Sequence, residues 1–254
     1  DVSQIDLKPV FFGADVVIHL AAITDAACSI NKAEELEANN FQSTLRVAEA
    51  CIEADASLIA ISSTSVYGTQ KDQVDENCSD SELQPQSPYA TTKLKEEELI
   101  ANLSKDKGLK AIHCRFGTIF GASQGMRFHT AVNKFCWQAV MNQPISVWST
   151  AYDQKRPYLD LLDASRAIAF IIKNNIFDGQ IYNVLTSNAT VRQVVDTIKE
   201  FVPNLEIEFV DNQIMNQLSY EVLCQRFKSK GFVFSGNMRR GIKETIDLLK
   251  YANK

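Results

Sequence analysis

Ile61–Gly68, ISSTSVYG, and Ser87–Lys93, SPYATTK, are the two stretches on which the reading of this chain turns. The apolar run Leu58–Ile61 reads as a buried strand, and it ends in four hydroxyls: Ser62, Ser63, Thr64 and Ser65. A polar loop follows, and then Tyr89 with Lys93 four residues on, inside a helical pattern. That spacing stacks two side chains on one helix face. An ammonium beside a phenol favours the phenolate, so the pair is expected to pull Tyr89 below its ordinary value of ~10. A strand-end hydroxyl such as Ser63 can hydrogen-bond the same substrate oxygen that the phenolate deprotonates. Together these groups form a proton-transfer site for alcohol–ketone chemistry. An isolated Tyr–Lys pair is more often a surface tyrosine lying on a lysine stem, so the case depends on the whole pattern.

The bulk numbers restrict the setting. The 254 residues are 45% hydrophobic and 22% charged, with a formal net charge of −5. This is an ordinary globular composition, and it argues against nucleic acid or an anionic membrane as partner. No apolar run approaches the ~20 residues of a membrane span, and no signal peptide is seen. Six scattered cysteines (28, 51, 78, 114, 136 and 224) form no C-x-x-C, which fits reduced thiols, no metal and a cytoplasmic protein. The histidines lack metal-ligand spacing; His19 and His113 fall on predicted strands and read as structural.

Segments alternate along the chain. Residues 15–22, DVVIHLAA, read as a parallel strand buried on both faces, and 34–54 as a long helix. A second helix covers about 87–107, and Lys110–Phe120, KAIHCRFGTIF, is another buried strand. Two short strands within 145–163 follow, then helix 163–174, strand 180–184, helix 190–201, strand 206–210 and a last helix after Met238. Thr190 reads as an N-cap. A guanidinium fork matches phosphate oxygens bidentately, which makes Arg156, in RPYLDLLD, a candidate phosphate ligand.

The strand ending in SS-x-x-VYG, the SPYA lead-in and the acidic run after Lys93 resemble the extended short-chain dehydrogenase/reductase family, in its NAD-dependent epimerase/dehydratase branch. The resemblance implies an α/β fold with a doubly wound, Rossmann-type parallel sheet and a small C-terminal α/β lobe. It places the dinucleotide-binding domain at 1–117 plus 161–185 and the substrate lobe at 118–160 plus 186–254. It implies Ser63, Tyr89 and Lys93 as catalytic residues and NAD as cofactor, with NADP left open. Asp1 falls where the family meets adenine, and Leu20, Ala21 and Ala22 where it contacts ribose and phosphate. Asn40, Ser62, Tyr89, Lys93 and Phe116 complete the cofactor set, and Gly117 stands where the backbone passes the nicotinamide. Thr64, Thr118, Arg127, Asn133 and Arg156 are implied as contacts to a nucleotide-sugar substrate. A homodimer through helices 34–54 and 87–107 is the family's common assembly.

Three departures sharpen the reading. Dehydratases of the family place Asp and Glu directly after the catalytic hydroxyl; here Thr64 and Ser65 stand there, and neither is a general acid or base at neutral pH. That favours epimerisation, or simple oxidation–reduction of a sugar, over dehydration. Asp160 replaces the usual histidine of the R-x-[FY]-[IV]-H-V-x-D signature, and Arg115 reads as a structural strand-end residue. Finally, no G-x-x-G-x-x-G occurs in the sequence, although the family binds the pyrophosphate on that turn. The resemblance implies a preceding segment of roughly 50 residues that includes a βαβ unit of about 30 or more and, without it, weak dinucleotide binding and an exposed sheet edge. A non-catalytic dinucleotide-binding protein is the remaining alternative, disfavoured by the retention of both Tyr89 and Lys93.

Overall fold

A computed structural model describes residues 1–24, 32–68, 72–211 and 219–252. Cys28 lies outside these. In chain order the elements begin with α1 (Lys8–Phe11), β1 (Val16–His19), α2 (Ala33–Ala54), β2 (Ser57–Ser63) and β3 (Gln73–Val74). Next come α3 (Pro88–Lys107), β4 (Ala111–Phe116), β5 (Thr118–Phe120), α4 (Ala131–Val140), β6 (Ile145–Trp148) and β7 (Lys155–Asp160). The chain continues through α5 (Leu161–Lys173), β8 (Ile181–Val184), β9 (Ser187–Thr190), α6 (Val191–Lys199) and β10 (Ile207–Val210). It closes with β11 (Glu221–Val222), α7 (Gln225–Ser229) and α8 (Met238–Ala252). The expected helices are present with ends shifted by a residue or two. Two strands differ. Residues 110–120 are not one buried strand but break at Gly117 into β4 and β5, which belong to different sheets. Residues 15–22 are not buried on both faces but shorten to β1 at a sheet edge, where β2 is the one neighbour among the described residues.

Two compact units result. The first comprises Asp1–Gly68, Glu76–Phe116 and Ile168–Asn183; the second comprises Thr69–Asp75, Gly117–Ala167 and Val184–Lys254.

The first unit is built on a four-stranded sheet of order β1-β2-β4-β8, with β1 parallel to β2 and β2 parallel to β4. This is the Rossmann-type arrangement expected. β2 and β4 are buried along nearly their whole length, which explains why they read as unbroken apolar runs. On one face Leu58, Ala60 and Ala111 pack under Val47, Ala48 and Cys51 of α2 and Ile100 and Leu103 of α3. β1 lies at the sheet edge among the described residues, with Ile18 39% and Leu20 63% exposed. Because the strands run in parallel, Leu20, Ser63 and Phe116 end at the same side of the sheet. The register sets Ser63 opposite Phe116 and His19 opposite Ala60. That carboxyl-end side is where open α/β sheets bind ligands.

In the second unit β5 pairs parallel with β7 and β7 antiparallel with β9, while β6 and β10 form a parallel pair. Its core joins Phe120, Phe135, Ile145, Tyr158, Val194, Ile198 and Ile246. Asp160, in place of histidine, accepts the Leu162 and Asn237 backbone N–H groups at 2.9 and 3.0 Å and meets Arg240. A carboxylate can thus serve two helix starts at once, which makes Asp160 a structural residue.

Candidate active site

β2 delivers Ser63 at its last position, and the chain then turns through a 3-10 segment, Thr64–Val66. Ser63 caps that turn: its Oγ accepts from Ser65 N at 3.2 Å and from Ser65 Oγ at 2.9 Å. A hydroxyl has two lone pairs and one proton, so with both acceptor sites used Ser63 acts as a donor. Gly68 closes the motif for steric reasons, since a Cβ there would sit 1.7 Å from the Gln84 carbonyl oxygen.

α3 starts immediately before Tyr89. Ser87 is its N-cap, accepting Ala90 N at 3.2 Å, and Pro88 occupies the first turn where its missing N–H costs nothing. Tyr89 therefore sits at the second helical position, and Lys93, one turn on, is buried with its Nζ 5.8 Å from the Tyr89 ring centroid. Ser63 stands near the Tyr89 hydroxyl and favours its phenolate. The three residues expected to act together are brought together.

The electrostatics depart from the simple expectation. Tyr89 is raised above its ordinary value: burial dominates, Lys93 and Ser63 pull down, and Glu96 pushes up. Loss of water around a phenolate thus outweighs one neighbouring cation. Lys93 donates to Glu96 Oε2 at 2.8 Å in a fully buried ion pair. His19 at the end of β1 is held neutral, lowered to about 4 by burial and then by the Lys93 charge, and its Nε2 lies 3.1 Å from Thr44 Oγ1 of α2.

A second buried network lies beside the first. Glu97 accepts Arg115 Nε at 2.9 Å and Arg115 Nη2 at 2.7 Å, and takes the Ser62 hydroxyl at 2.5 Å. Arg115 also donates to the Tyr67 hydroxyl, which donates to Asn183 Oδ1 at 2.9 Å. Ser62 is therefore engaged with the protein interior.

The other expected residues divide between the units. Asn40 pins the chain after β1, accepting from Ile23 N at 2.8 Å and donating to Ile23 O at 2.9 Å. Leu20 and Ala21 are exposed at the end of β1, Ala22 is half-buried, and Phe116 is buried with its carbonyl accepting from Thr64 Oγ1 at 3.3 Å. Asp1 is exposed and accepts from Ser3 N at 2.9 Å. Thr118, Arg127, Asn133 and Arg156 all lie in the second unit. Asn133 is buried and accepts Gly121 N at 3.2 Å, Arg127 is exposed, and Arg156 reaches the Gln154 side chain and the Lys155 carbonyl. Thr118 pairs in register with Tyr158. A side chain at Gly117 would be crowded, because a Cβ would stand 3.1 Å from the Pro157 backbone.

No group of three or more His, Cys, Asp or Glu able to hold a metal occurs among the described residues, nor any helix long and apolar enough to cross a membrane. Burial pushes the Cys51, Cys114 and Cys136 thiols up to about 12, where they are unreactive.

Reading residue by residue missed Ser65, Glu96 and Glu97. Ser65 was visible only as a substitution. The two glutamates sit in the run KEEE, which has the composition of a solvated helix face.

The fold is that of an α/β protein with a Rossmann-type parallel sheet, and Ser63, Tyr89 and Lys93 stand at the carboxyl end of its strand β2. The chain belongs to the NAD dependent epimerase/dehydratase family, whose model matches residues 3–184. Among curated relatives, the uncharacterized UDP-glucose epimerase YtcB of Bacillus subtilis (strain 168) is 31% identical over 200 residues, 77% of this chain and 61% of that protein. The trifunctional UDP-glucose 4,6-dehydratase/UDP-4-keto-6-deoxy-D-glucose 3,5-epimerase/UDP-4-keto-L-rhamnose-reductase RHM2 of Arabidopsis thaliana is 28% identical over 92% of this chain. The chain spans only 35% of that enzyme's length. Among solved structures, a Bacillus cereus UDP-glucuronic acid 4-epimerase bound to NAD and a fluorinated UDP-glucuronic acid superposes with a TM-score of 0.88. It is 21% identical, with 99% of this chain and 80% of that one covered.

Proposed function

We propose that the protein is an NAD-dependent nucleotide-sugar epimerase, with Ser63, Tyr89 and Lys93 as its catalytic residues. The observation that carries this reading is the meeting of those three side chains at the carboxyl end of β2, with Thr64 and Ser65 rather than two carboxyl groups beyond Ser63. Tyr89 takes the proton from a sugar hydroxyl, and Ser63, its acceptor sites already filled by Ser65, donates to the same oxygen. Lys93 stabilises the phenolate and offers hydrogen bonds to ribose hydroxyls. NAD, if bound beside Tyr89 and Lys93, would supply a hydride acceptor that is regenerated within each turnover, so that epimerisation would consume no net cofactor.

The residues fit the nicotinamide half of that cofactor. Small, accessible Ala21 and Ala22 follow β1, and Phe116 ends β4 on the same side as Ser63 and Tyr89. The glycine turn that would hold the pyrophosphate is not among these 254 residues. Asp1, Leu20, Asn40 and Ser62 are assigned to cofactor contact or to shaping its site. Thr64, Thr118, Arg127, Asn133 and Arg156 are assigned to the nucleotide sugar. The half-buried apolar residues Phe41 of α2 and Leu94 of α3 support a homodimer through these helices, and the composition fits the cytoplasm.

A reductase using the same three residues is the second reading, favoured by the reductase activity named for the Arabidopsis relative. Product analysis separates the two, because a reductase consumes one reduced cofactor per turnover. Tyr89→Phe is expected to lower nucleotide-sugar turnover by at least about 100-fold, the range of a lost general base, with NAD binding unchanged within a few-fold. Chromatography of the sugar products and a cofactor titration measure the two. Turnover retained in Tyr89→Phe refutes the assignment.

A further inference from the structure

Glu96 has no part in the reaction just described, yet it is the acidic side chain most closely tied to the Tyr89–Lys93 pair. It lies three residues beyond Lys93 on α3 and binds its ammonium at 2.8 Å, with side-chain exposures of 5% for Lys93 and 7% for Glu96. Its second oxygen, Oε1, is buried without a hydrogen-bond partner among the described residues. A lysine–glutamate pair at this helical spacing normally lives in water and contributes little. Here both charges have left water, which is costly, and one carboxylate oxygen remains unsatisfied. Stability alone gives no reason to keep it.

The surroundings narrow its role. From α2, Thr44 favours its charged form, and from β1, His19 stands beside Thr44 in the neutral state. From β4, Arg115 is engaged by both oxygens of Glu97. From α3 itself come Lys93, Glu97 and Tyr89, and from β2 Ser62 and Ser63, the former bound to Glu97. Lys93 is thus the cation left facing Tyr89, and Glu96 is the anion that holds it.

We propose that Glu96 is a positioning residue: its carboxylate anchors the Lys93 ammonium and, by countering that charge, governs how readily the Tyr89 hydroxyl gives up its proton. The proposal rests on the reading of Tyr89 and Lys93 as the proton-transfer pair and adds the group that sets their working pH. Glu96 opposes Tyr89 ionisation while Lys93 assists it, so the two charges act on one phenol in opposite senses.

The test is a pH titration of Tyr89 itself, by NMR of protein carrying tyrosine labelled with carbon-13 at Cζ, the resonance assigned by its loss in Tyr89→Phe. Glu96→Gln is expected to bring the onset of Tyr89 ionisation down by about one pH unit or more, the effect of removing a nearby like charge. Glu96→Asp is expected to keep it nearer the wild type. A Glu96→Gln protein whose Tyr89 stays protonated to the same pH as the wild type, or higher, overturns the proposal. Should Glu96→Gln not fold, the wild type decides. Nitrogen-15 lysine spectra are then expected to show an exchange-protected ammonium that disappears in Lys93→Met, and the lack of any such signal overturns the anchor. No substrate enters these measurements, so an active Tyr89→Phe enzyme and an unanchored Lys93 are separate failures.

Discussion

Glu96 and Glu97 are neighbours in sequence with different fates. Glu97 has the better-satisfied site: both its oxygens meet Arg115, and Ser62 adds a third bond. Arg115 is almost completely buried, its guanidinium 5.0 Å from the Tyr67 ring centroid. Removing one member of such a pair strands a charge in the interior, which costs about 3–5 kcal/mol. Glu97→Gln and Arg115→Met are each expected to lower unfolding free energy by that order in urea denaturation. The double replacement Glu97→Leu with Arg115→Met is expected to recover much of the loss, and equal losses in all three would argue against an ion pair. None of this was legible in KEEE: Lys95 of the same run is exposed and pairs with Glu37. Burial of the middle two glutamates depends on α2 and β4 arriving from distant sequence.

Elements were more legible than residues, because their signals are local. The helix expected over 87–107 is α3, and the structure shows what ends it: Ser87 is its N-cap, Pro88 fills the first turn and Gly108 closes it at φ 72°, which a side chain would strain. Thr190 likewise forms a full capping box with Gln193. The unbroken apolar runs of β2 and β4 marked them as central strands. The two-residue pairing of β3 with β11, and the antiparallel return of β9 along β7, left no pattern to read. Such short strands are defined by their partners rather than by periodicity. Ser87→Ala is expected to cost about 1 kcal/mol in thermal or urea unfolding, the usual worth of an N-cap. Because Tyr89 stands two residues further on, fraying of that first turn is also expected to displace its ring from Ser63 and Lys93. A loss of turnover larger than the loss of stability would show that coupling.

For the molecule as a whole, acid is the informative stress. His19 and His113 are both buried and both lowered from 6.5 to about 4, chiefly by burial, with Lys93 adding to the effect at His19. In the unfolded chain each regains a value near 6.5. Between pH 6.5 and 4 the unfolded state therefore binds two protons that the folded state refuses, so stability is full above pH 6.5 and falls as the pH drops through that window. From pH 7 to 5 this amounts to about 2 kcal/mol per histidine. Glu96 works the other way: its folded carboxyl is raised, mainly by burial, so it takes its proton before the unfolded chain does and returns part of the loss. Urea midpoints followed by circular dichroism are expected to fall between pH 7 and 5 in the wild type. They are expected to fall less in His113→Gln and least when His19→Gln is added. If the wild-type midpoint held steady over that range, the two imidazoles could not be neutral and buried in the folded protein. The ion pair beside His19 would then have to be reconsidered, since it is the Lys93 charge, held in place by Glu96, that helps to keep that ring unprotonated.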